Sequence, residues 1–351
     1  MSLSDYRKKI DALDEKIVKV LNQRAKLSQK IGQHKTKNQA GIYVPSREQD
    51  VLKRIKKCND GPMTDAALEA VYREVMSASL SLEKELQIAY LGPEASFTNF
   101  AAARKFGSQV RYVSADTISD VFHKVENGDC DYGVVPIENS LEGAVTNTFD
   151  LLADSDLKIC AHLPLEISHN LLANVPLDKI VRVYSKREAF GQCRHWLREH
   201  LPQVELVETA STTRAAQIAS KEKTAAAIAS LLAADLYHLH VVKKGIEDVS
   251  HNITRFLVIG RDDAAVTGED RTSILFSIRD KVGALHDMLV PFCEQKINLM
   301  KIESRPSKKK AWEYYFFVDF EGHRQDAKVR KALTKLDSMC KFLKILGSYP
   351  R

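Results

Sequence analysis

Gly133-Val134-Val135-Pro136-Ile137-Glu138-Asn139-Ser140 decides how the middle of this chain folds. An apolar run of strand length, 132–137, exits abruptly into a carboxylate, an amide and a hydroxyl. Comparable short runs at 87–91, 179–184 and 256–259 alternate with helical patterns at 189–200, 212–220 and 224–236. That alternation predicts an α/β domain with a largely parallel sheet. It extends from 87 to about 260, and the polar stretch 261–270 reads as a flexible linker.

Before this block the period changes. Leu3, Tyr6, Ile10, Leu13, Ile17, Val20, Arg24, Leu27 and Ile31 form one seam of a long helix. A polar stretch follows, and then a second helix led by Pro45-Ser46-Arg47-Glu48-Gln49, which reads as a capping box with Ser46 at the N-cap. Asn59-Asp60-Gly61-Pro62 ends it. Leu68, Tyr72, Val75, Ser79, Leu82 and Leu86 mark a third helix. One long helix and two shorter ones bury little alone, so this unit is expected to dimerise.

After the linker, a strand at 272–278, a helix at 283–295, strands at 297–303 and 312–320, a helix at 327–339 and a strand at 342–346 give the β-α-β-β-α-β order of a ferredoxin-like unit.

With 44% hydrophobic and 28% charged residues, the composition is that of an ordinary globular chain. No apolar run has the length of a membrane helix, and the first seven residues lack a basic-then-apolar pattern, so neither a membrane span nor a secretory signal is expected. Six cysteines without a C-x-x-C pair argue against zinc and disulfides and favour the cytosol. The net charge of +6 resides in the first 40 residues; the remainder balances. A basic helix could serve nucleic acid, a membrane surface or small anions. Arg24 sits on the apolar seam, whereas phosphate binding needs exposed cations, which disfavours nucleic acid.

Arg24 and Ser79 interrupt their seams. Arg24 and Lys35, eleven residues apart, fall within about 20° of one helix face. Ser79 and Glu83 form an i, i+4 pair. Arg7 lies about 100° from Arg24, so it would reach the same pocket most easily from a second protomer. Several cations inside a bundle are costly without an anionic ligand.

In order and spacing, Arg7, Arg24, Lys35, Arg47-Glu48, Ser79 and Glu83 resemble the all-helical chorismate mutase domain, an intertwined dimer. The resemblance implies that Arg7 of the other chain, Arg24 and Arg47 hold the substrate carboxylates. Lys35 and Glu83 would face the ether oxygen as the catalytic pair, Glu48 the ring hydroxyl, and Ser79 the pocket wall, with Val44 contributing its backbone N–H. The rearrangement of chorismate to prephenate is pericyclic and needs no nucleophile. Positioning, and donors where charge develops on the ether oxygen, are what help. Glutamine stands at position 83 in some relatives. Glu83 must therefore carry a proton to donate, and activity should fall as pH rises.

Gly92-Pro93-Glu94-Ala95-Ser96-Phe97, the run from Gly133 to Ser140, Ser185 to Gln192, and Asn252-Ile253-Thr254-Arg255-Phe256 together resemble prephenate dehydratase. That family has two α/β lobes like a periplasmic binding protein. The resemblance implies Thr254 as the catalytic residue, with Arg255 and Phe256 beside it. Asn139, Ser185 and Gln192 would bind the substrate, and Glu138 would lie next to the cleft as a candidate proton source. Lys186-Arg187-Glu188 departs from the family's usual His-Pro-Gln. Cys193 reads as a buried structural thiol.

Gly283-Ala284-Leu285-His286 and Glu303-Ser304-Arg305-Pro306 resemble the ACT regulatory domain, which implies a phenylalanine site from Gly283, Ala284, Leu285, Asn298, Leu299, Glu303 and Ser304 on paired domains. A helix N-terminus there suits a carboxylate. A plain dimerisation module is the alternative.

The resemblance covers nearly the whole chain and is that of the bifunctional chorismate mutase–prephenate dehydratase (P-protein) family. It implies domains at 1–86, 87–262 and 271–351, conversion of chorismate to phenylpyruvate by way of prephenate, and inhibition by L-phenylalanine. No cofactor or metal is expected, and the chain would be a homodimer or dimer of dimers. An amino-acid-sensing binding protein with an inactive dehydratase fold is the competing reading.

Overall fold

The computed structural model describes residues 2–37, 43–278, 281–308 and 313–351. Packing divides the chain into two compact units. One is Met1–Gln87 with Lys105–Arg111, and the other is Ile88–Arg104 with Tyr112–Arg351.

The first unit is built on α1 (Leu3–Lys37), α2 (Pro45–Cys58) and α3 (Asp65–Glu83). The polar stretch between α1 and α2 falls largely at 38–42, outside the described residues. Helix α2 begins one residue before the expected capping box. Val44 is its N-cap, Pro45 opens the first turn, and no side chain caps it. Proline at that position costs no hydrogen bond, because the first N–H groups have no partner inside the helix. Thr64 caps α3, its hydroxyl accepting from Ala67 N at 3.2 Å. The α1 seam lies bare: Leu3, Tyr6, Ile10, Leu13, Ile17, Val20 and Leu27 are all more than half exposed.

The second unit contains three sheets. Its elements are β1 (Gln87–Leu91), α4 (Phe97–Phe106), β2 (Arg111–Ala115), α5 (Ile118–Glu126), β3 (Tyr132–Asn139), β4 (Gly143–Ala144), α6 (Thr146–Asp154), β5 (Lys158–Glu166) and β6 (Asn170–Ala173). The chain continues through β7 (Arg182–Ser185), α7 (Arg187–Gln192), α8 (Arg194–His200), β8 (Glu205–Glu208), α9 (Thr212–Ala219), β9 (Ala225–Ala229), α10 (Leu231–Tyr237), β10 (His240–Lys243) and β11 (Ile253–Gly260). It ends with β12 (Asp270–Ser277), α11 (Ala284–Glu294), β13 (Leu299–Pro306), β14 (Tyr314–Glu321), α12 (Ala327–Met339) and β15 (Phe342–Pro350). Trp312, the first residue of the strand expected at 312–320, lies outside the described residues.

The strand orders are β2-β1-β3-β11-β5 with β4 on β3, β10-β6-β9-β7-β8, and β13-β14-β12-β15. The first two sheets are mixed rather than largely parallel. β1 runs parallel to β3 and β7 parallel to β8 and β9, but β11 is antiparallel to both β3 and β5, and β6 to β9 and β10. The chain leaves the first sheet after β5, builds the second, and returns as β11 between β3 and β5. That return sets Thr254 opposite Asn139.

The segment 224–236 is not one helix. Ala225–Ala229 is a strand at the centre of the second sheet, buried at every position, and Ser230 then caps α10. Alanine favours helix intrinsically, but a strand flanked on both sides takes its conformation from burial and pairing. The helix expected over 189–200 likewise breaks at Cys193, between α7 and α8. The expected flexible linker is tied down. Ala264 is buried and its carbonyl lies 3.2 Å from His323 Nε2, while Thr267 Oγ1 donates to Asp270 at 2.6 Å.

Candidate active sites

In the helical unit, a cavity of about 350 Å³ opens between the C-terminal half of α1, α2 and α3. Arg24, Lys35, Val44, Arg47, Glu48, Ser79 and Glu83 all line it. The helical spacing that put Arg24 with Lys35, and Ser79 with Glu83, thus brings both pairs to one space. Lys35 Nζ lies 2.9 Å from Glu83 Oε2, and Arg24 Nη1 donates to Ser79 Oγ. Ser79 Oγ in turn donates to Val75 O at 2.8 Å. Glu48 accepts from Tyr43 OH at 2.7 Å and pairs with Lys105 Nζ at 2.9 Å. Gly32 makes this close assembly possible, since a Cβ there would stand 2.8 Å from Glu83 Cβ. Arg24, Lys35, Arg47, Arg73 and Lys105 face two carboxylates, an excess of positive charge suited to a small dianion. Arg7 is not brought to this cavity; seventeen residues of helix separate it from Arg24 by about 25 Å.

In the α/β unit, Asn139, Thr254, Asn252 and Gln192 form one directed chain. Backbone N–H groups of Leu141 and Glu142 hold Asn139 Oδ1 at 2.9 and 3.0 Å. Asn139 Nδ2 donates to Thr254 Oγ1 at 2.8 Å and to Asn252 Oδ1 at 2.6 Å. Asn252 Nδ2 donates to Gln192 Oε1 at 2.9 Å, and Gln192 Nε2 to Glu142 Oε1 at 3.0 Å. His169 Nε2 lies 2.8 Å from the same Gln192 oxygen, so the imidazole must carry its proton there. Burial holds this histidine below its ordinary range, against the opposing pull of Gln192 and Glu247. The chain of bonds spans both sheets, because Asn139 and Thr254 belong to the first and Gln192 follows β7 of the second.

Other expected residues lie elsewhere. Successive strand residues face opposite sides, so Glu138 and Arg255 meet each other on the far face of the β3–β11 pair, with Arg255 Nε 3.0 Å from Glu138 Oε1. Glu138 also pairs with Lys301 Nζ. An acid held by two cations is a poor proton source, and Glu138 does not share the Thr254 side. Phe256 is fully buried. Ser185 is fully buried as well, its hydroxyl donating to Ile228 O at 2.8 Å. Cys193 is buried, which pushes its thiol up.

In the third sheet, Gly283 is the N-cap of α11, with φ 78°. Ala284 is buried and Leu285 partly exposed. Asn298 accepts from Glu321 N at 3.0 Å, and Leu299, Glu303 and Ser304 lie on β13, the edge strand.

Comparison with known proteins assigns a family to each part of the chain. Type II chorismate mutase matches residues 6–84, prephenate dehydratase 88–264 and the ACT domain 272–338. A bifunctional chorismate mutase/prephenate dehydratase of Aquifex aeolicus is 47% identical over 99% of this chain and 98% of its own length. That of Pseudomonas aeruginosa is 42% identical with the same coverage. The chain belongs to the bifunctional chorismate mutase/prephenate dehydratase family. Among solved structures, prephenate dehydratase of Arthrobacter aurescens in complex with L-Phe superposes with a TM-score of 0.70 at 33% identity, covering 76% of this chain and 90% of that one. The family's two enzymatic domains and the ACT domain are all present, and the reading as a non-catalytic sensor is not favoured.

Several residues that belong with these sites escaped the sequence reading. Arg73 lies seven residues before Leu80, and both line the helical cavity, so the heptad repeat carried that signal. Lys105 and Phe106 reach the cavity from outside the helical segment, and no local pattern could reveal them. Asn252 stands two residues before Thr254, on the same side of the strand, and bridges Asn139 to Gln192. His169 and Glu142 join only through Gln192. Among the described residues, no helix is long and apolar enough to cross a membrane and no group of three or more His, Cys, Asp or Glu is arranged for a metal.

Proposed function

We propose that the helical cavity converts chorismate to prephenate and that the Asn139–Thr254 site converts prephenate to phenylpyruvate, within domains at 1–86, 87–262 and 271–351. The observation that carries the second assignment is the bond from Asn139 Nδ2 to Thr254 Oγ1. It makes the Thr254 oxygen an acceptor and leaves the hydroxyl proton available to a departing group.

In the mutase step Arg24 and Arg47 hold the substrate carboxylates, while Lys35 and protonated Glu83 donate to the ether oxygen as its C–O bond breaks. Such donors act by being in place before charge develops. Chorismate binding would separate Lys35 from Glu83 and turn both toward the ether oxygen. Arg7 enters from a second copy whose α1 covers the bare seam, and this accounts for both the exposed leucines and isoleucines and the distance from Arg7 to its own cavity.

In the dehydratase step the ring–carboxylate C–C bond breaks and releases carbon dioxide. Its electron pair enters the ring, and the ring C–O bond breaks as hydroxide leaves and takes up a proton. Thr254 donates a hydrogen bond to that oxygen. A threonine hydroxyl is too weak an acid to do more alone. Asn139 and Gln192 orient the substrate's polar groups. Glu138, Ser185, Arg255 and Phe256 support the strands around the site.

L-phenylalanine binds at Gly283-Ala284-Leu285, Asn298, Leu299, Glu303 and Ser304 of paired ACT domains, and inhibition follows from a difference in its affinity for two states. The enzyme works in the cytosol as a homodimer or dimer of dimers.

The test follows chorismate consumption and phenylpyruvate formation by the purified chain, with and without phenylalanine. Phenylpyruvate from chorismate alone, suppressed by phenylalanine, is the expected result. Accumulation of prephenate without phenylpyruvate would refute the dehydratase assignment, and no loss of chorismate would refute the mutase assignment.

A further inference from the structure

Arg255 is adjacent to Thr254 but points to the other face of β11, where it meets the ACT sheet. Its Nη1 donates to Asp319 Oδ2 at 2.8 Å, and its Nε faces Glu138. The arginine side chain is 14% exposed and the aspartate 9%, so this is an ion pair largely withdrawn from water. Asp319, on β14, is itself fixed by the ACT sheet. Ser273 Oγ of β12 donates to its Oδ1 at 2.5 Å, and Tyr349 OH of β15 lies 2.8 Å from that serine. Lys301 on β13 completes the cluster by pairing with Glu138. Three cations, Arg255, Lys301 and, 3.8 Å from Asp319, Arg271, thus surround two carboxylates.

The body behind this cluster is closely packed. Leu275, Phe317, Leu346 and Tyr349 of the ACT sheet share one buried core with Leu257 and Ile259 of β11. Gly347 lets β15 approach β5 so closely that a Cβ there would stand 2.8 Å from Ile159 N. β11 is held on both edges near Thr254, but not evenly. On β5 the ladder runs from Ile253 to Val258 without a slip. On β3 Thr254 pairs with Asn139 and Arg255 with Glu138, and the register then slips, so that Phe256 faces Pro136, which has no N–H to give. The Arg255 side chain adds an anchor at that slip.

We infer that Asp319 is a positioning residue for the dehydratase. Reaching across from the ACT sheet, it fixes Arg255 and thereby the place of the Thr254 hydroxyl on β11. This rests on Thr254 acting at the reacting centre. Removing the carboxylate leaves a buried guanidinium with one partner fewer, which the strand answers by shifting. A displacement of about 1 Å at a reacting group costs up to ~100-fold in rate.

The experiment uses the full chain and compares Asp319→Asn, Asp319→Glu, Arg255→Gln, the double variant Arg255→Gln/Asp319→Asn, and Thr254→Val. Both activities are measured, with the urea midpoint of each variant as the control for folding and the mutase rate as the control for protein amount. Asp319→Asn should lower dehydratase kcat by ~10- to 100-fold with KM changed less than about twofold, and Asp319→Glu should recover part of the loss. The double variant should be no slower than the slower single one, as expected of two residues acting as a pair. Wild-type kcat in Asp319→Asn, a rise in KM alone, or multiplicative losses in the double variant would each overturn the inference. If Asp319→Asn does not fold, Ser273→Ala carries the test, since it loosens the carboxylate and keeps its charge. A lower kcat is then expected, and an unchanged kcat overturns the inference. Turnover by Thr254→Val would overturn the site assignment itself, whereas an inactive Thr254→Val beside a fully active Asp319→Asn would overturn the positioning role alone.

Discussion

Asn139 Nδ2 lies 2.8 Å from Thr254 Oγ1 across the β3–β11 ladder, and the Asn139 carbonyl is already held by two backbone N–H groups. The amide cannot flip without forfeiting both bonds. The threonine oxygen therefore always accepts from Asn139, and its own proton is directed elsewhere.

Replacing Thr254 by valine keeps the shape and removes the donor. Prephenate should still bind, while dehydratase turnover falls ~10²- to 10³-fold, the usual cost of losing one donor to a developing oxyanion. Asn139→Ala should lower kcat in the same direction and leave the mutase rate unchanged. Steady-state assays with equilibrium binding of prephenate decide it; loss of binding with normal turnover at saturation would argue for a substrate-holding role instead.

Lys35 and Glu83 stand 2.9 Å apart in the helical cavity. Glu83→Gln, a permanent donor, should keep mutase turnover, whereas Glu83→Ala should lower kcat ~10²- to 10³-fold, the usual cost of losing one donor to developing charge. An alanine variant as fast as the unchanged enzyme would remove residue 83 from this role.

If Arg7 acts in the neighbour's pocket, Arg7→Ala and Arg24→Ala homodimers should each lose mutase activity. Mixed dimers then contain one pocket with both lesions and one with neither. Co-refolding the two inactive variants should restore activity, whereas their dehydratase rates on supplied prephenate should not change. Persistent inactivity of verified mixed dimers would place Arg7 outside the partner's site.

Burial keeps His169 below its ordinary range. The unfolded chain then takes up a proton near pH ~6.5, before the folded chain does. Stability from this group is complete above that pH and is lost as pH falls toward the lower folded value. Urea midpoints at pH 7.5 and 5.5 should differ less for His169→Asn than for the unchanged chain. An equal difference in the two proteins would show that His169 does not contribute.

Much of this was legible in the residues because it depends on local geometry. Helix period alone put Arg24 with Lys35 and Ser79 with Glu83, and the strand exit at Glu138-Asn139-Ser140 marked the edge of a site. Local pattern failed where environment overrides propensity. Ala225–Ala229 is a strand because both its edges are paired and both its faces buried. The capping box at Ser46 gave way to Pro45 in the first turn.

The order of residues sets which side-chain types stand at which helical or strand position, and through them the class of each segment and the family. Which side each residue faces, and what meets it there, comes from the folded chain. Asn139 and Glu138 are neighbours in sequence, yet alternation sends one to Thr254 and the other to Arg255 and Lys301. Asp319 joins Arg255 across 64 residues, and Lys105 reaches Glu48 from beyond the helical segment. Such contacts depend on how the chain returns on itself, and no local period encodes that return.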